Sequence, residues 1–447
     1  MTRYGYNHKW TEFLWSLAVS VIPIGHLVGV FLSAFLADRL GRKSTMLIAL
    51  ITLNLGGLLV LSCYPLHRFE FIIGGRVLIG VSMGLNISIN SLLLIENSPR
   101  SLRGFFSSFP AIFYGLGNFL GVTVTLPVIL GTEDCWILAT ALSAFPAPFA
   151  LIIFLCIPES PRHLCLKQNN NNVAAIESIL FYQGELYLEE TLTDLLEEKQ
   201  SIQTRRPRIS LKDAAFRKPL LLVTLLRCGD ELTGLSVVMS YSCTILIDAG
   251  LSKFYASVAT FALGCVKLTS GFLLPCFMTG WGRRPLIIIS QTSCALSILL
   301  LTLSFYAAPK SSAIGIANTI ILSVFLTAYT VYTTAKMTTC AELFPQRFRA
   351  KGLAISGCVG WVMTSVSTAT FLPLREAVGS ALALSPYWLF SFVIAVVFLR
   401  TLPETKNMTF QEIQDSNFTE NTSLLYSSGS EDSSEGEVQL RATKYYR

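Results

Sequence analysis

The chain has 447 residues, of which 52% are hydrophobic and 14% are charged, and its mean hydropathy is +0.55. So apolar a composition excludes a soluble globular domain and places the chain in a lipid bilayer. Basic residues at the cytosolic ends of membrane helices then account for the net charge of +6. The charge is therefore not taken as a sign of nucleic-acid binding. The eleven cysteines have no Cys/His ligand spacing, which argues against a metal site or a disulfide framework.

Apolar runs of about 20 residues predict eleven transmembrane helices. In chain order they cover 13–36, 45–63, 71–95, 105–130, 136–157, 219–246, 254–277, 286–306, 313–340, 352–372 and 384–399. Five spans precede a long polar segment and six follow it. The chain therefore divides into two helical halves.

Basic residues concentrate in the short turns on one side of these spans. They are Arg39, Arg42, Lys43, Arg100, Arg103, Arg283, Arg284, Arg347, Arg349 and Lys351. The positive-inside rule places these turns in the cytosol. We therefore expect an extracellular N-terminus (1–12), an N-terminal bundle of five spans (13–157), a cytosolic linker with short amphipathic helices (158–218), a C-terminal bundle of six spans (219–402) and a disordered cytosolic tail (403–447).

The tail contains an acidic dileucine pattern, Glu420 followed by Leu424 and Leu425. This pattern resembles an endocytic sorting signal and would bind sorting adaptors. A chance leucine pair in a polar tail is an equally weighted alternative.

The two halves repeat short charged motifs. The basic turn at 38–43 returns at 280–285, Glu96 with Arg103 returns as Glu342 with Arg349, and the motif at 158–162 returns at 403–406. The offsets are nearly equal, since 283−42=241, 342−96=246 and 404−159=245. An internal repeat of this length is typical of secondary transporters.

Seven motifs in order, at 36–43, 75–80, 96–104, 158–162, 282–284, 341–345 and 403–406, closely resemble the facilitative sugar transporters of the major facilitator superfamily. The resemblance covers about 14–406. It implies an all-α membrane fold of two pseudo-symmetric bundles that carries a sugar, by default a hexose, by alternating access. The sequence has no phosphate-binding glycine loop and no nucleophile elbow at a plausible position, so we expect no enzyme activity and no cofactor. The plasma membrane is the expected location, and an endosomal or lysosomal membrane is the alternative.

Charged residues at the cytosolic helix ends are expected to form a gating network. They are Asp38, Arg42, Glu96, Arg103, Glu159, Arg162, Arg283, Arg284, Glu342, Arg349 and Glu404. Carboxylates that bridge arginines of neighbouring helices would hold the cytosolic side closed. Alternatively, these charges only anchor the helix ends.

The sequence departs from the family pattern at the first span and at three stretches where the family binds sugar. It enters what resembles the family's second span near Leu14, so the first span is expected to be missing. In addition, the family's amide-rich sugar-binding stretch aligns with 230–236, where two amides are replaced by Asp230 and Glu231. An expected asparagine aligns with Lys267, and the proline-rich stretch that carries a tryptophan aligns with 332–337.

Five charged residues are consequently predicted at membrane depth: Arg227, Asp230, Glu231, Lys267 and Lys336. Each costs roughly 2.5–3.5 kcal/mol to insert and is expected to face a cavity or a partner. An ion pair between Arg227 and Glu231 is available on one helix face. The substrate-binding candidates are Asp230, Glu231, Ser236, Lys267, Tyr332 and Lys336.

Several interpretations of these charges remain open. The chain could carry a hexose at an altered site, carry a charged organic solute with or without protons, or act as a sensor on a transporter scaffold. The charges could also form a closed structural network without solute contact. His26, alone in an apolar span, is interpreted as a hydrogen-bonded core histidine.

Overall fold

The computed structural model describes residues 8–99, 102–106, 109–132, 135–167, 172–204, 214–277, 280–307, 311–344 and 346–405. Within these ranges every regular element is helical. The helices are α1 (His8–Leu40), α2 (Arg42–Leu66), α3 (Glu70–Asn97), α4 (Arg103–Phe106), α5 (Phe109–Val124), α6 (Trp136–Thr140), α7 (Ala147–Cys156), α8 (Pro161–Lys167), α9 (Asn172–Gln183), α10 (Leu188–Thr204), α11 (Ala214–Leu232), α12 (Leu235–Asp248), α13 (Lys253–Phe277), α14 (Arg283–Ala307), α15 (Ser312–Leu343) and α16 (Gln346–Thr401).

Seven of the described helices are long and apolar enough to span a membrane. The last of them, α16, is interrupted at Gly379 (φ 85°, ψ 163°) and thus contains both predicted spans at 352–372 and 384–399. The predicted spans at 105–130 and 136–157 form shorter helices. In the second of them, α7 begins directly after Pro146. The predicted span at 219–246 is divided into α11 and α12 at Gly234.

Glycines allow α1 and α3 to pack backbone to backbone. A Cβ at Gly29 would lie 2.1 Å from the carbonyl oxygen of Val81, and one at Gly84 would lie 2.2 Å from that of His26. Only residues without a side chain permit this approach, which is a common way to join membrane helices.

The C-terminal half has a large buried core formed by α11, α12, α14, α15 and α16. Its largest fully buried side chains include Phe216, Phe325, Phe371 and Phe398. Within this core, Gln291 of α14 donates a hydrogen bond to Ser391 of α16 (2.9 Å).

The two halves meet along two pairs of helices. In the first pair, α1 packs on the first part of α16, and Ser16 Oγ donates to the carbonyl of Ala369 at 2.7 Å. In the second pair, α5 packs on α13, where the rings of Phe119 and Phe261 lie 5.6 Å apart.

Helices α8 to α10 cover one end of the N-terminal half. They share a small core of Cys165, Ala175, Ile179 and Leu195. Ser178 Oγ donates to the carbonyl of Glu159 at 2.6 Å, which fixes α9 against the end of the bundle.

Candidate functional site

The break between α11 and α12 is built from local hydrogen bonds. Thr233 Oγ1 donates to the carbonyl of Asp230 (2.6 Å), and the backbone N–H of Gly234 donates to that of Glu231 (3.1 Å). Gly234 has φ +84°, a left-handed conformation that favours glycine. The break therefore places two acids at the end of α11 and Ser236 in the first turn of α12, and discontinuous helices commonly form solute sites in transporters.

Both carboxylate oxygens of Asp230 have partners on α15. Its Oδ2 forms an ion pair with Lys336 Nζ, and its Oδ1 accepts a hydrogen bond from Tyr329 (2.6 Å). Tyr332, which lies between Tyr329 and Lys336 in the sequence of α15, donates a hydrogen bond from its hydroxyl to the carbonyl of Leu226 at 2.7 Å. Since Lys336 is 2% exposed and Tyr332 is 0% exposed, these groups connect α11 to α15 and are not available at a surface.

Glu231 points to the other side of α11. Its Oε2 accepts a hydrogen bond from Ser236 Oγ (2.5 Å), and the Thr364 hydroxyl of α16 also interacts with this carboxylate. The expected pair of Arg227 with Glu231 does not form among the described residues, where the ion pair is made by Asp230 and Lys336. Asp230 faces α15, Glu231 is bonded to Ser236 of α12, and the Arg227 side chain packs beside Gly360 of α16.

Lys267 of α13 contacts α12 close to the turn that carries Ser236. Its Nζ donates to the sulfur of Met239 at 3.6 Å, and Met239 lies one turn after Ser236. One turn further along α13, Ser270 shares a hydrogen bond with Thr330 of α15 (3.2 Å). Lys267 thus contacts α12 about one turn after Ser236, the residue whose hydroxyl binds Glu231.

His26 and Trp361 join the two halves near this site. Their rings stack with centroids 3.8 Å apart and planes inclined by 30°. His26 is 2% exposed, and neither ring nitrogen has a hydrogen-bond partner among the described residues. His26 is thus a core histidine as interpreted, but ring stacking takes the place of the expected hydrogen bond among the described residues.

A buried ion cluster, the N-terminal cluster (Arg42, Glu96, Glu159, Ser160 and Arg162), joins α2, α3 and α8. Arg42 Nε and a terminal nitrogen contact the carboxylate of Glu96 at 3.0 Å, and Arg162 contacts it at 3.2 Å. Ser160 Oγ also donates to Glu96. Glu159 accepts hydrogen bonds from the backbone N–H of Arg42 at 2.8 Å, so its charge stabilises the first turn of α2.

The C-terminal cluster (Arg283, Arg284, Glu342, Glu404 and Thr405) has the related arrangement. Glu404 accepts from the backbone N–H groups of Arg283 (2.8 Å) and Arg284 (3.2 Å) at the start of α14. Thr405 Oγ1 donates to Glu342 at 2.6 Å. These contacts join helices of one half.

The remaining residues of the expected gating network and of the tail take no part in the contacts described above. Asp38 is exposed and has no side-chain hydrogen bond among the described residues. The side chains of Arg103 and Arg349 lie outside the described set, as does the tail pattern of Glu420, Leu424 and Leu425.

The fold is that of the major facilitator superfamily. The inward-open structure of the xylose transporter XylE from E. coli covers 92% of this chain and 91% of its own, with a TM-score of 0.76 and 20% identity. Its partially occluded inward-open structure covers 90% of each chain, with a TM-score of 0.75 and 20% identity. The predicted all-α, two-bundle architecture is thereby confirmed.

The sequence defines the family more narrowly. The family model described as sugar (and other) transporter matches residues 2–416, and the chain belongs to this family. Human facilitated glucose transporter member 7 is 27% identical over 412 residues, 90% of this chain and 78% of the relative. A facilitated glucose transporter homolog of Caenorhabditis elegans is 29% identical over 406 residues, 88% of this chain and 78% of the relative.

These comparisons confirm the resemblance inferred from the seven motifs. The chain is a multi-pass membrane transporter, as predicted, and its relatives are sugar transporters, not enzymes. The roles of individual side chains remain predictions.

Proposed function

We propose that the chain carries a sugar across the membrane by facilitated, alternating-access transport, with the sugar bound beside the break between α11 and α12. Membership of the sugar (and other) transporter family supports the activity. The observation that carries the site is Glu231, which accepts from Ser236 at the break and whose other neighbour is Thr364 of α16.

The chemistry of these groups suits a hydroxylated solute. A carboxylate accepts hydrogen bonds at two oxygens and a serine or threonine hydroxyl both donates and accepts, so together they match the hydroxyl groups of a sugar. Hydrogen bonds to a charged acceptor are stronger than neutral ones. Glu231 therefore takes over the role that amides have in the family pattern.

Asp230, Tyr332 and Lys336 have a different role in this proposal. Both Asp230 oxygens are already bonded, and Tyr332 is fully buried. We assign these three residues to positioning: they hold the end of α11 against α15, so that Glu231 stays directed towards α12.

The two clusters would let each half move as a rigid body. Their described contacts join α2, α3 and α8 in one half, and α14, α15 and the residues after α16 in the other. Rocking of one half against the other would then occur at the α1–α16 and α5–α13 contacts. We place this transport at the plasma membrane, with an endosomal or lysosomal membrane as the alternative if the tail pattern of Glu420, Leu424 and Leu425 binds sorting adaptors.

Uptake of radiolabelled glucose and fructose into cells that express the chain tests the proposal. Saturable uptake is expected, and Glu231→Ala should raise KM at least about tenfold, since a hydrogen bond to a charged group contributes about 1.5–3 kcal/mol. Surface biotinylation should show near-normal amounts of this variant. Absence of saturable uptake of any sugar tested, neutral or acidic, despite normal surface delivery of the wild-type chain would refute sugar transport.

The positioning role is tested by Lys336→Met, with the exposed Lys253→Met as matched control. Loss of Lys336 leaves Asp230 buried without its cation, and breaking such a pair costs about 3–5 kcal/mol. We expect a severe loss of folded protein, measured by fluorescence-detected gel filtration, and little change in the control. Normal folding with a changed KM would instead assign Lys336 to the solute.

A further inference from the structure

Two cations beside the α11–α12 break have no acidic partner among the described residues. The contact of Lys267 Nζ is the neutral thioether of Met239 at 3.6 Å. Arg227 Nε is buried without a hydrogen-bond partner, and its side chain packs beside Gly360 of α16. Neither cation takes part in the ion pair of Asp230 with Lys336.

The charges at this site do not balance. Asp230 and Lys336 neutralise each other, which leaves Arg227 and Lys267 against the single carboxylate of Glu231, a net formal charge of 2−1=+1. An ionised side chain at membrane depth costs roughly 2.5–3.5 kcal/mol and normally faces a cavity or a partner. An unpaired positive site of this kind favours a solute that brings its own negative charge.

The spacing of Lys267 and Glu231 along α12 would favour one orientation of such a solute. Lys267 reaches α12 at Met239 and Glu231 reaches it at Ser236, three residues earlier and therefore about 4.5 Å away along the helix axis. This spacing is comparable to the width of a sugar ring. Repulsion from Glu231 would direct a solute carboxylate to Lys267 and leave the solute hydroxyls at Glu231 and Ser236.

Arg227 extends the positive region along α11. It lies four residues before Glu231 and thus about 6 Å nearer the start of the helix, on the same face. A second cation at that distance would attract an anion approaching from that end of α11.

We infer that the sugar carried by this chain bears one carboxylate, as in a uronate or an aldonate. The inference rests on the proposed function and names its substrate class. The cations supply the charge complementarity, and the hydroxyls around Glu231 select a polyhydroxylated anion over a simple one.

The experiment measures uptake of radiolabelled glucuronate and glucose in the same cells. For the wild-type chain we expect saturable glucuronate uptake, and competition by galacturonate at least ten times stronger than by acetate or chloride. Lys267→Met should lower the ratio of kcat/KM for glucuronate to that for glucose at least tenfold, and Lys267→Arg should restore most of it. Lys253→Met, an exposed lysine at the start of α13, should leave the ratio unchanged.

The outcomes separate the inference from the proposed function. Hexose uptake that excess glucuronate does not inhibit would overturn the inference and leave sugar transport standing. Equal competition by acetate would overturn it in favour of a simple anion site. Uptake of neither solute despite surface delivery would overturn both proposals, and the wild-type competition decides even if Lys267→Met fails to fold.

Discussion

The same backbone arrangement occurs in the N-terminal and C-terminal clusters, but their side-chain ion pairs differ. In each half a glutamate, Glu159 or Glu404, accepts hydrogen bonds from the first backbone N–H groups of a helix, α2 or α14. In each half a hydroxyl one residue later donates to a second glutamate. This correspondence shows the internal repeat at the level of single hydrogen bonds.

The difference lies in the arginine that follows the glycine present in both halves, Arg42 after Gly41 and Arg283 after Gly282. Arg42 makes a bidentate pair with Glu96, whose side chain is 2% exposed, whereas Arg283 has a buried Nε without a hydrogen-bond partner among the described residues. The N-terminal cluster therefore depends on a buried ion pair, and the C-terminal cluster depends more on the capping of its helix. The repeat preserves the backbone contact more strictly than the side-chain contact.

The largest expected effect breaks this ion pair. Arg42→Met leaves Glu96 buried without its main cation and should reduce stability by about 3–5 kcal/mol. Arg283→Met, the matched change in the other half, should cost less than half as much. Thermal unfolding of the purified variants in detergent measures both effects, and equal losses would show that the two clusters are energetically equivalent.

The elements that the sequence predicted are those set by composition. Eight of the eleven predicted apolar runs lie in the seven described helices that are long enough to span a membrane, whereas those at 105–130, 136–157 and 219–246 form shorter or divided helices. The repeated motifs identified residues that assemble at the helix ends. Glu96, Arg42 and Arg162 come together as those motifs suggested.

The sequence did not predict which charged residues pair with each other near the break between α11 and α12. Asp230 and Lys336 are 106 positions apart and meet only because α11 and α15 are rotated towards each other. The sequence favoured Arg227 with Glu231, since those two are one turn apart, but the Arg227 side chain packs beside Gly360 of α16 and Glu231 accepts from Ser236 of α12. Glu159 was expected to bridge arginine side chains, and its described contacts are instead with backbone N–H groups, because Gly41 lets it approach the start of α2.

Substitution of that glycine should have the next largest effect. Gly41 has φ +100°, and an added Cβ would lie 2.2 Å from Glu159 Oε2, so Gly41→Ala should cost about 1–3 kcal/mol from backbone strain and lost capping. Gly282 lacks the left-handed φ, and its Cβ would meet only the flexible end of Glu404 at 2.4 Å. Gly282→Ala should therefore cost less, as the unfolding temperatures of the two variants would show; the reverse order would contradict the strain argument.

The smallest expected effect concerns Tyr182, which joins α9 to the N-terminal cluster by donating to the carbonyl of Pro158 at 2.8 Å. Tyr182→Phe should cost about 0.5–1.5 kcal/mol, the usual contribution of one neutral hydrogen bond. Burial, with a further contribution from the charge of Glu159, raises the pKa of Tyr182 to about 12 from the ordinary 10.0.

A raised pKa means that the folded state favours the protonated hydroxyl, so the advantage of the wild type over Tyr182→Phe should be complete below pH 10 and decline as pH approaches 12. Unfolding temperatures of both proteins, measured at intervals between pH 8 and the alkaline limit, test the direction of this change. A difference that stays constant over this whole range would contradict the raised pKa, because a hydroxyl with the same pKa in the folded and unfolded states gives no pH dependence.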